Sequence, residues 1–474
     1  MRTFFKSSPC PRIEIKSRRK FSSNSNDPET RVISSEETLS KLKPVCHKIG
    51  ITRISNITHL DRLRIPNYTV TLPGTEDSIW VYSGKGPTKS DAKASALMEA
   101  VERFSSLSAT NNRYFVQGSY FDISKSFENV LHPHEVMEPV IHSYHDKNSI
   151  LDFIPGFDLI SRKEILIPAQ LVFSRYSSRL PAVCAFPYSH TNGLASGNVL
   201  EEAVCQALCE VIERDAVSIA DLCCSSISYS MLERMTGLLA KSHHVENATT
   251  EIINHRFVDD SSLFSDVDIS EVEFEPIRML FKRFYECGIP LLIKDITQED
   301  IGIPTFIATS AEWLTDEYGY FAKGYGSHPD ARIALMRAIT EVSQTRASNI
   351  QGARDDLKKI RYLHDDNILE RKWQFRRAIG RLQQETEEEK RFSEINTYSY
   401  NDLLDDIKLI LKNLKRAGFK RAIIVDLTNP EIGVPVVRAI VPGLETFEIA
   451  RLFMDKEIQI GNRAKHEFSR LLNT

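Results

Sequence analysis

The sequence predicts a mixed α/β fold in which short strands alternate with long amphipathic helices. Three observations carry this expectation: strand-like patterning over residues 68–72, 422–427 and 434–441, apolar residues at helical spacing in three Ala- and Leu-rich segments, and a glycine-bearing turn before each of those segments. The 474 residues, 42% hydrophobic and 26% charged, contain enough apolar material for one large domain or two ordinary ones.

Residues 1–34 mix Arg, Lys, Ser, Asn and Pro with few aliphatics, so they bury too little apolar surface to offset the entropy of ordering; a disordered basic tail is expected. The same composition also fits an organelle transit peptide, whereas the compact apolar segment of a secretory signal is missing. The folded domain is expected over residues 35–474, opening with a helix to about Gly50 and short strands at 51–54 and 68–72. Ser83-Gly84-Lys85-Gly86 reads as a flexible turn before a helix over about 90–107. The turn-rich stretch from Asn192 to Asn198 opens a second long helix over about 200–220. Between 231 and 272, around His243-His244, the pattern loosens into an insertion or lid. A third loop, Gly324 to Pro329, leads into a helix over about 330–348. A charged stretch at 365–391 reads as a solvated amphipathic helix, and a helix at 401–417 with strands at 422–427 and 434–441 closes the fold.

The bulk numbers exclude several function classes. A net charge of −4 gives no general basic field, so nucleic acid is not expected as a partner. No apolar run approaches the roughly 20 residues that cross a bilayer, which makes a cytoplasmic protein the expectation. Eight cysteines in irregular positions, with no CxxC, suit reduced thiols rather than a disulfide framework or structural zinc. Cys205, Cys209, Cys223 and Cys224 admit a redox or sulfur-carrying role, but buried inert thiols are the simpler reading.

The chemistry concentrates on the three long helices. Ser95, Glu99 and Glu102 fall within roughly 60° of one face, with Arg103 beside them. Glu202, Gln206, Glu210 and Glu213 form a stripe on the second helix, flanked by Arg214 and opposite a fully apolar side. Arg337, Glu341 and Gln344 line the third. Any surface helix has a polar side, yet these stripes contain no Lys at i+4 to compensate the acids. Like charges about 4 Å apart repel by about 4 kcal/mol at the effective dielectric near a protein surface, so the cluster favours a bound cation. Carboxylates without His or Cys suit magnesium, which completes its shell with water and nucleotide phosphates. Arg103, Arg214 and Arg337 would then face the phosphates. Ala96, Leu97, Glu99, Glu102 and Arg103 recur in the same order as Ala207, Leu208, Glu210, Glu213 and Arg214, which suggests an internal duplication around a shared cleft. His328, ahead of the third helix, is either a general base or a structural residue at the helix start.

These residues resemble the YcaO family, whose nucleotide site is built from three acid-bearing helices rather than a P-loop. The resemblance rests on Gly50-Ile51-Thr52-Arg53-Ile54, Gly84-Lys85-Gly86, 95–103, 192–216, 328–346, Asp426-Leu427-Thr428 and Pro442-Gly443. It implies a YcaO-type fold around a cleft for ATP and Mg2+. Glu99, Glu102, Glu210 and Glu213 would hold metal; Ser95, Asn198, Glu202, Gln206, Arg214, Arg337 and Glu341 would bind the nucleotide. It also implies ATP-dependent activation of a backbone amide in a peptide or protein substrate. Azoline-forming members commonly end in a proline-rich tail, whereas residues 465–474 contain no proline. Thioamidation with a TfuA-like sulfur-delivery partner is therefore expected, with azoline-forming cyclodehydration or an accessory role in ribosomal-protein methylthiolation as alternatives. A homodimer is expected from the same resemblance.

Overall fold

In the computed structural model, three sheets each carry one of the acid-bearing helices, and the short loops between strand and helix set where the acids point. The structure describes residues 13–22, 29–74, 79–107, 115–136, 149–174, 176, 191–223, 264–313, 319–352, 389–445 and 463.

Helix α1, Ser35–Lys48, starts where the Ser34 side chain accepts the Glu37 N–H, with Glu36 and Glu37 in its first turn and His47 and Lys48 in its last, complementing the helix dipole. Strands β1 (Arg53–Asn56), β2 (Asn67–Pro73) and β3 (Ile79–Lys85) form an antiparallel meander. Helix α2, Lys89–Ser105, capped by Thr88, folds back onto β3. The Gly-Lys-Gly stretch, expected as a flexible turn, is largely strand. Gly84 lies within β3 because the α2 backbone passes directly over it: a Cβ there would sit 2.0 Å from the Ala96 amide nitrogen.

The largest sheet has the order β4-β5-β13-β14-β7, with β6 also on β5. Its strands are β4 (Val116–Ser119), β5 (Ile150–Asp158), β6 (Lys163–Pro168), β7 (Leu194–Ser196), β13 (Ile423–Asp426) and β14 (Val436–Ile440). The short helix α3, Tyr120–Ser126, follows β4, and the long helix α4, Leu200–Cys223, follows β7. Alternation along β14 divides the core. Val437 and Ala439 join the cluster of α4 and α7 (Leu403–Arg416), whereas Val436 and Ile440 join that of α1 and α2. The two acid-bearing helices therefore straddle the edge strand β7, which the Ser196 hydroxyl ties to α2 by donating to the Met98 carbonyl at 3.0 Å.

The third sheet, β11-β10-β9-β8-β12, comprises β8 (Asp266–Asp268), β9 (Leu292–Asp295), β10 (Thr305–Trp313), β11 (Gly319–Ser327) and β12 (Glu389–Arg391). Helix α5 (Glu275–Glu286) and helix α6 (Ala331–Gln351), the latter capped by Asp330 and closed by Gly352 at φ 66°, share one apolar core with it. The Gly324 to Pro329 loop is again mostly strand. A Cβ on Gly326 would meet the Ala334 carbonyl at 2.0 Å, so β11 and α6 use the same close crossing as β3 and α2.

The expected disordered tail does not hold for residues 13–22. Ile13 is buried in the α4–α7 core, Leu403 N–H donates to the Arg18 carbonyl at 3.0 Å, and Lys20 is buried against Asp406. Of the expected insertion, 231–263 with His243 and His244 lie outside the described residues, as does 365–388 of the charged stretch; 266–268 and 389–391 are strands. Among the described residues no helix is long and apolar enough to cross a membrane.

Gly84→Ala or Gly326→Ala forces the added methyl into helix backbone that cannot yield, and each should lose about 3 kcal/mol or more in urea denaturation. Gly50→Ala, with φ 81° but nothing within 4 Å, should lose only about 1 kcal/mol. Equal losses at the three positions would show that the close crossings are not what requires glycine.

Candidate functional site

The stripes of α2, α4 and α6 converge. Glu102 feels the charges of Glu99 and Glu210, and Glu213 feels that of Glu341, so the five carboxylates form one cluster drawn from all three helices. Cations already lie among them. Arg103 donates to Glu99 through Nε at 2.8 Å and Nη2 at 2.6 Å and sits 3.8 Å from Glu102. Arg214 lies 3.5 Å from Glu213 and 4.0 Å from Glu210, and Lys85 pairs with Glu341. The stripes are thus better compensated than their lack of Lys at i+4 suggests: the arginines one turn on and a lysine from β3 supply the charge.

Burial still dominates the acids. Desolvation pushes Glu210 up to about 7 despite Arg214 and Arg103. Glu102 is held well above the usual carboxylate range by burial and then by Glu99, and burial raises Glu213 against the pull of Arg214. Groups in this condition gain most from a further cation, and hard carboxylate oxygens free of sulfur and imidazole are what magnesium takes. The residues present fit that ion.

Each expected residue has a definite place. Ser95 is half-buried one turn before Glu99, and Gln206 half-buried one turn before Glu210. Arg337 donates to the Ser327 carbonyl at 3.1 Å and Gln344 to the Ser83 carbonyl at 2.7 Å, which joins α6 to β3. Asn198 and Glu202 are turned elsewhere. Glu202 accepts the Asn198 N–H at 2.6 Å, Asn198 Nδ2 at 2.9 Å and the Val32 N–H at 2.5 Å, and Asn198 Oδ1 accepts from the Thr38 hydroxyl at 3.1 Å.

His328 is 1% exposed and accepts the Asp330 N–H on Nδ1 at 2.9 Å. Burial, then Arg337, holds its pKa well below the usual imidazole value, so the ring is neutral with its proton on Nε2. With its basic nitrogen engaged and the ring sealed from solvent, His328 matches the structural alternative. Cys205 and Cys209 are buried, and the pKa of Cys205 is raised through its hydrogen bond with Cys209 and by desolvation, the condition of an inert thiol. Cys224 lies outside the described residues.

Two basic residues were not singled out from sequence. Lys85 was hidden between glycines. Arg438 is buried on β14 between Val436 and Ile440; burial pushes its guanidinium down to about 10 against the pull of Glu210 and, more weakly, of Glu102. An arginine inside the run Val436-Val437-Arg438-Ala439-Ile440 was the available signal.

A family model described as YcaO cyclodehydratase, ATP- and Mg2+-binding, matches residues 83–445. An uncharacterized protein of Methanothermobacter thermautotrophicus is 31% identical over 88% of this chain and 96% of its own length. An uncharacterized protein from the tfuA 3′ region of Rhizobium leguminosarum bv. trifolii is 27% identical over 93% of both chains. Among solved structures, the YcaO protein of Methanopyrus kandleri bound with AMPPCP and Mg2+ has the same fold at a TM-score of 0.60 and 22% identity, covering 91% of this chain and 95% of that one. A heterocyclase in complex with substrate and cofactor superposes at 0.67 and 22% identity over 92% of this chain but only 54% of its own.

Because the folded pKa of Glu210 lies above its ordinary value of 4.5, its contribution to stability is complete below that value and is lost as pH rises through about 7. In EDTA, Glu210→Gln should therefore lose less stability than the native chain between pH 5 and 8, by at most about 3 kcal/mol. Parallel melting curves across that range would show that the carboxyl is unperturbed.

Proposed function

We infer, for a chain that belongs to the YcaO family, that it uses ATP and magnesium to activate the carbonyl of a peptide bond so that sulfide replaces the oxygen and leaves a thioamide. The observation that carries the ATP and magnesium part is the convergence of Glu99, Glu102, Glu210, Glu213 and Glu341 from three helices, with Arg103, Arg214 and Lys85 already set among them. The sulfur part is supported by the relative from the tfuA 3′ region, which is similar along nearly its whole length.

When bound, ATP supplies the phosphoryl group that makes the amide oxygen a leaving group, and magnesium offsets the charge of the phosphates. The chain's own part is positioning. Glu99, Glu102, Glu210 and Glu213 would hold the metal: burial raises the last three, and Glu99, paired with Arg103, lies beside Glu102 on the same helix. Ser95, Asn198, Glu202, Gln206, Arg214, Arg337 and Glu341 would bind the nucleotide. Arg214 and Arg103, already fixed on carboxylates, lose little freedom on meeting phosphate, which is how preorganised charge favours a transition state. Sulfide would add to the activated carbon, and the oxygen would leave as phosphate. We assign its delivery to a TfuA-like partner and the acceptor to a peptide or protein.

A second reading, cyclisation by a Cys, Ser or Thr side chain to an azoline, is favoured by the fold shared with the heterocyclase. Mass spectrometry of the host proteome with and without the gene separates the two. A gene-dependent exchange of one backbone oxygen for sulfur is the expected result, whereas loss of water would establish the azoline. Glu210→Ala should abolish magnesium-dependent nucleotide binding while the fold persists; undiminished affinity would overturn the metal assignment.

A further inference from the structure

The chain upstream of α1 crosses the first turns of α2 and α4, where it meets Asp91 and Glu202. Its first described stretch is fastened to α7: the Asp402 carboxylate, which caps that helix, accepts from the Ser17 hydroxyl and from the Arg18 N–H at 3.0 Å, and the Lys20 N–H donates to the Asn401 carbonyl at 2.8 Å. Glu201, at the start of α4, accepts the Lys16 N–H at 2.9 Å and Arg18 Nε at 3.2 Å. The Lys20 ammonium goes deeper, to 2.5 Å from Asp406 Oδ2, with the lysine side chain 6% and the aspartate 0% exposed.

That pocket has the makings of a metal centre. A Cys205 sulfur, a His328 ring nitrogen and an Asp406 oxygen lie within 4.8 Å of one another, all buried. The imidazole argues against a metal, since Nδ1 already accepts an amide proton and a metal on Nε2 would require the proton to move to Nδ1 and break that bond. The Lys20 ammonium supplies the positive charge instead.

From this anchor four contacts lead to the starts of α2 and α4. The Phe21 N–H, next to Lys20, donates to the Arg31 carbonyl at 2.6 Å. The next amide, Val32 N–H, donates to Glu202 at 2.5 Å. The Arg31 guanidinium meets the Ser35 hydroxyl at 2.5 Å and Asp91, in the first turn of α2, at 3.4 Å. Residues 29–35 thus bridge the starts of α2 and α4.

We propose that Lys20 is a positioning residue for the nucleotide site: its ammonium, locked on Asp406, holds residues 29–35 across the starts of α2 and α4 and so fixes Arg31 and Glu202 one helical turn before Ser95 and Gln206. This rests on the nucleotide reading of the site. A buried ammonium and carboxylate are each tolerable only while paired, so the latch is either seated or released, with no stable intermediate. Apparent nucleotide affinity then scales with the fraction of molecules in which the stretch is seated.

The test is titration calorimetry of the full chain with a non-hydrolysable ATP analogue and magnesium, beside amide hydrogen exchange. Lys20→Met should weaken the analogue about tenfold or more and speed exchange at 29–35 while the rest of the domain keeps its protection; Lys20→Arg, which keeps the charge, should restore both. Val32→Pro, which removes the amide held by Glu202 and also fixes the backbone at that residue, should reproduce the loss and serves as the deciding variant where Lys20→Met does not fold. Native affinity in Val32→Pro together with native exchange in Lys20→Met overturns the latch alone. Absence of analogue binding by the native chain overturns the nucleotide reading, and the latch with it.

Discussion

Five carboxylates pressed into one half-buried cleft repel one another, and the architecture around them is arranged to tolerate that repulsion. Glu102, Glu210 and Glu213 are buried enough that water does not offset their charge, whereas Glu99 and Glu341 are partly exposed and paired with Arg103 and Lys85. Arg103 and Arg214 answer it from the acids' own helices, Lys85 answers it from β3, and Arg438 approaches from β14. The compensation is incomplete, as the raised Glu102, Glu210 and Glu213 show. A divalent ion is the simplest group that completes it without adding bulk.

Holding such a cluster demands rigid supports, because side chains that repel will separate if their helices can. The close crossings at Gly84 and Gly326 meet that demand by bringing helix backbone against strand backbone, where nothing flexible intervenes. Gln344 on the Ser83 carbonyl and the buried Asn67 to Ser343 hydrogen bond at 2.7 Å then join α6 to the first meander. Arg346 adds a buried fork onto Asp61 at 2.7 and 3.1 Å, with Glu312 at 2.6 Å. Three separately folded sheets are in this way fixed around one cleft by polar contacts that tolerate little displacement.

Much of this was legible in the sequence, and the misses share a cause. The long helices were visible because Ala, Leu and Glu at helical spacing declare both their period and their polar face; the fold brings together Glu99, Glu102, Glu210, Glu213 and Glu341 from those faces, while Glu202 is held by Val32 and Asn198. The glycine stretches were misread because glycine marks close approach as well as turns; only the partner backbone distinguishes the two, and Ala96 and Ala334 lie about a dozen and eight residues further on. Strands β5, β6, β9 and β10 pass without clear alternation because most of them are buried on both faces. The stretch 13–22 was taken for tail on composition, since what orders it, Asp406 and Asp402, is nearly four hundred residues away.

Helix α4 shows how one helical period can serve several masters. Its apolar side, Ala203 to Ile212, fills the core against β14 and α7. Its middle carries Glu210 and Glu213 to the cluster, and its first turn gives Glu201 and Glu202 to the upstream chain. Past its middle Asp215, directly after Arg214 and fully buried, accepts the Glu445 N–H at 2.8 Å and Arg463 at 3.0 Å; burial pushes it up to about 7 even so. Two points on α4, its first turn and Asp215, are therefore clasped by segments remote in sequence, through buried carboxylates that are costly unpaired. A helix held only by its apolar side could slide along the sheet, since dispersion contacts are many and individually weak. One pinned at two points along its length by buried carboxylates cannot move without breaking their hydrogen bonds, and Glu210 and Glu213 between the pins inherit that fixity.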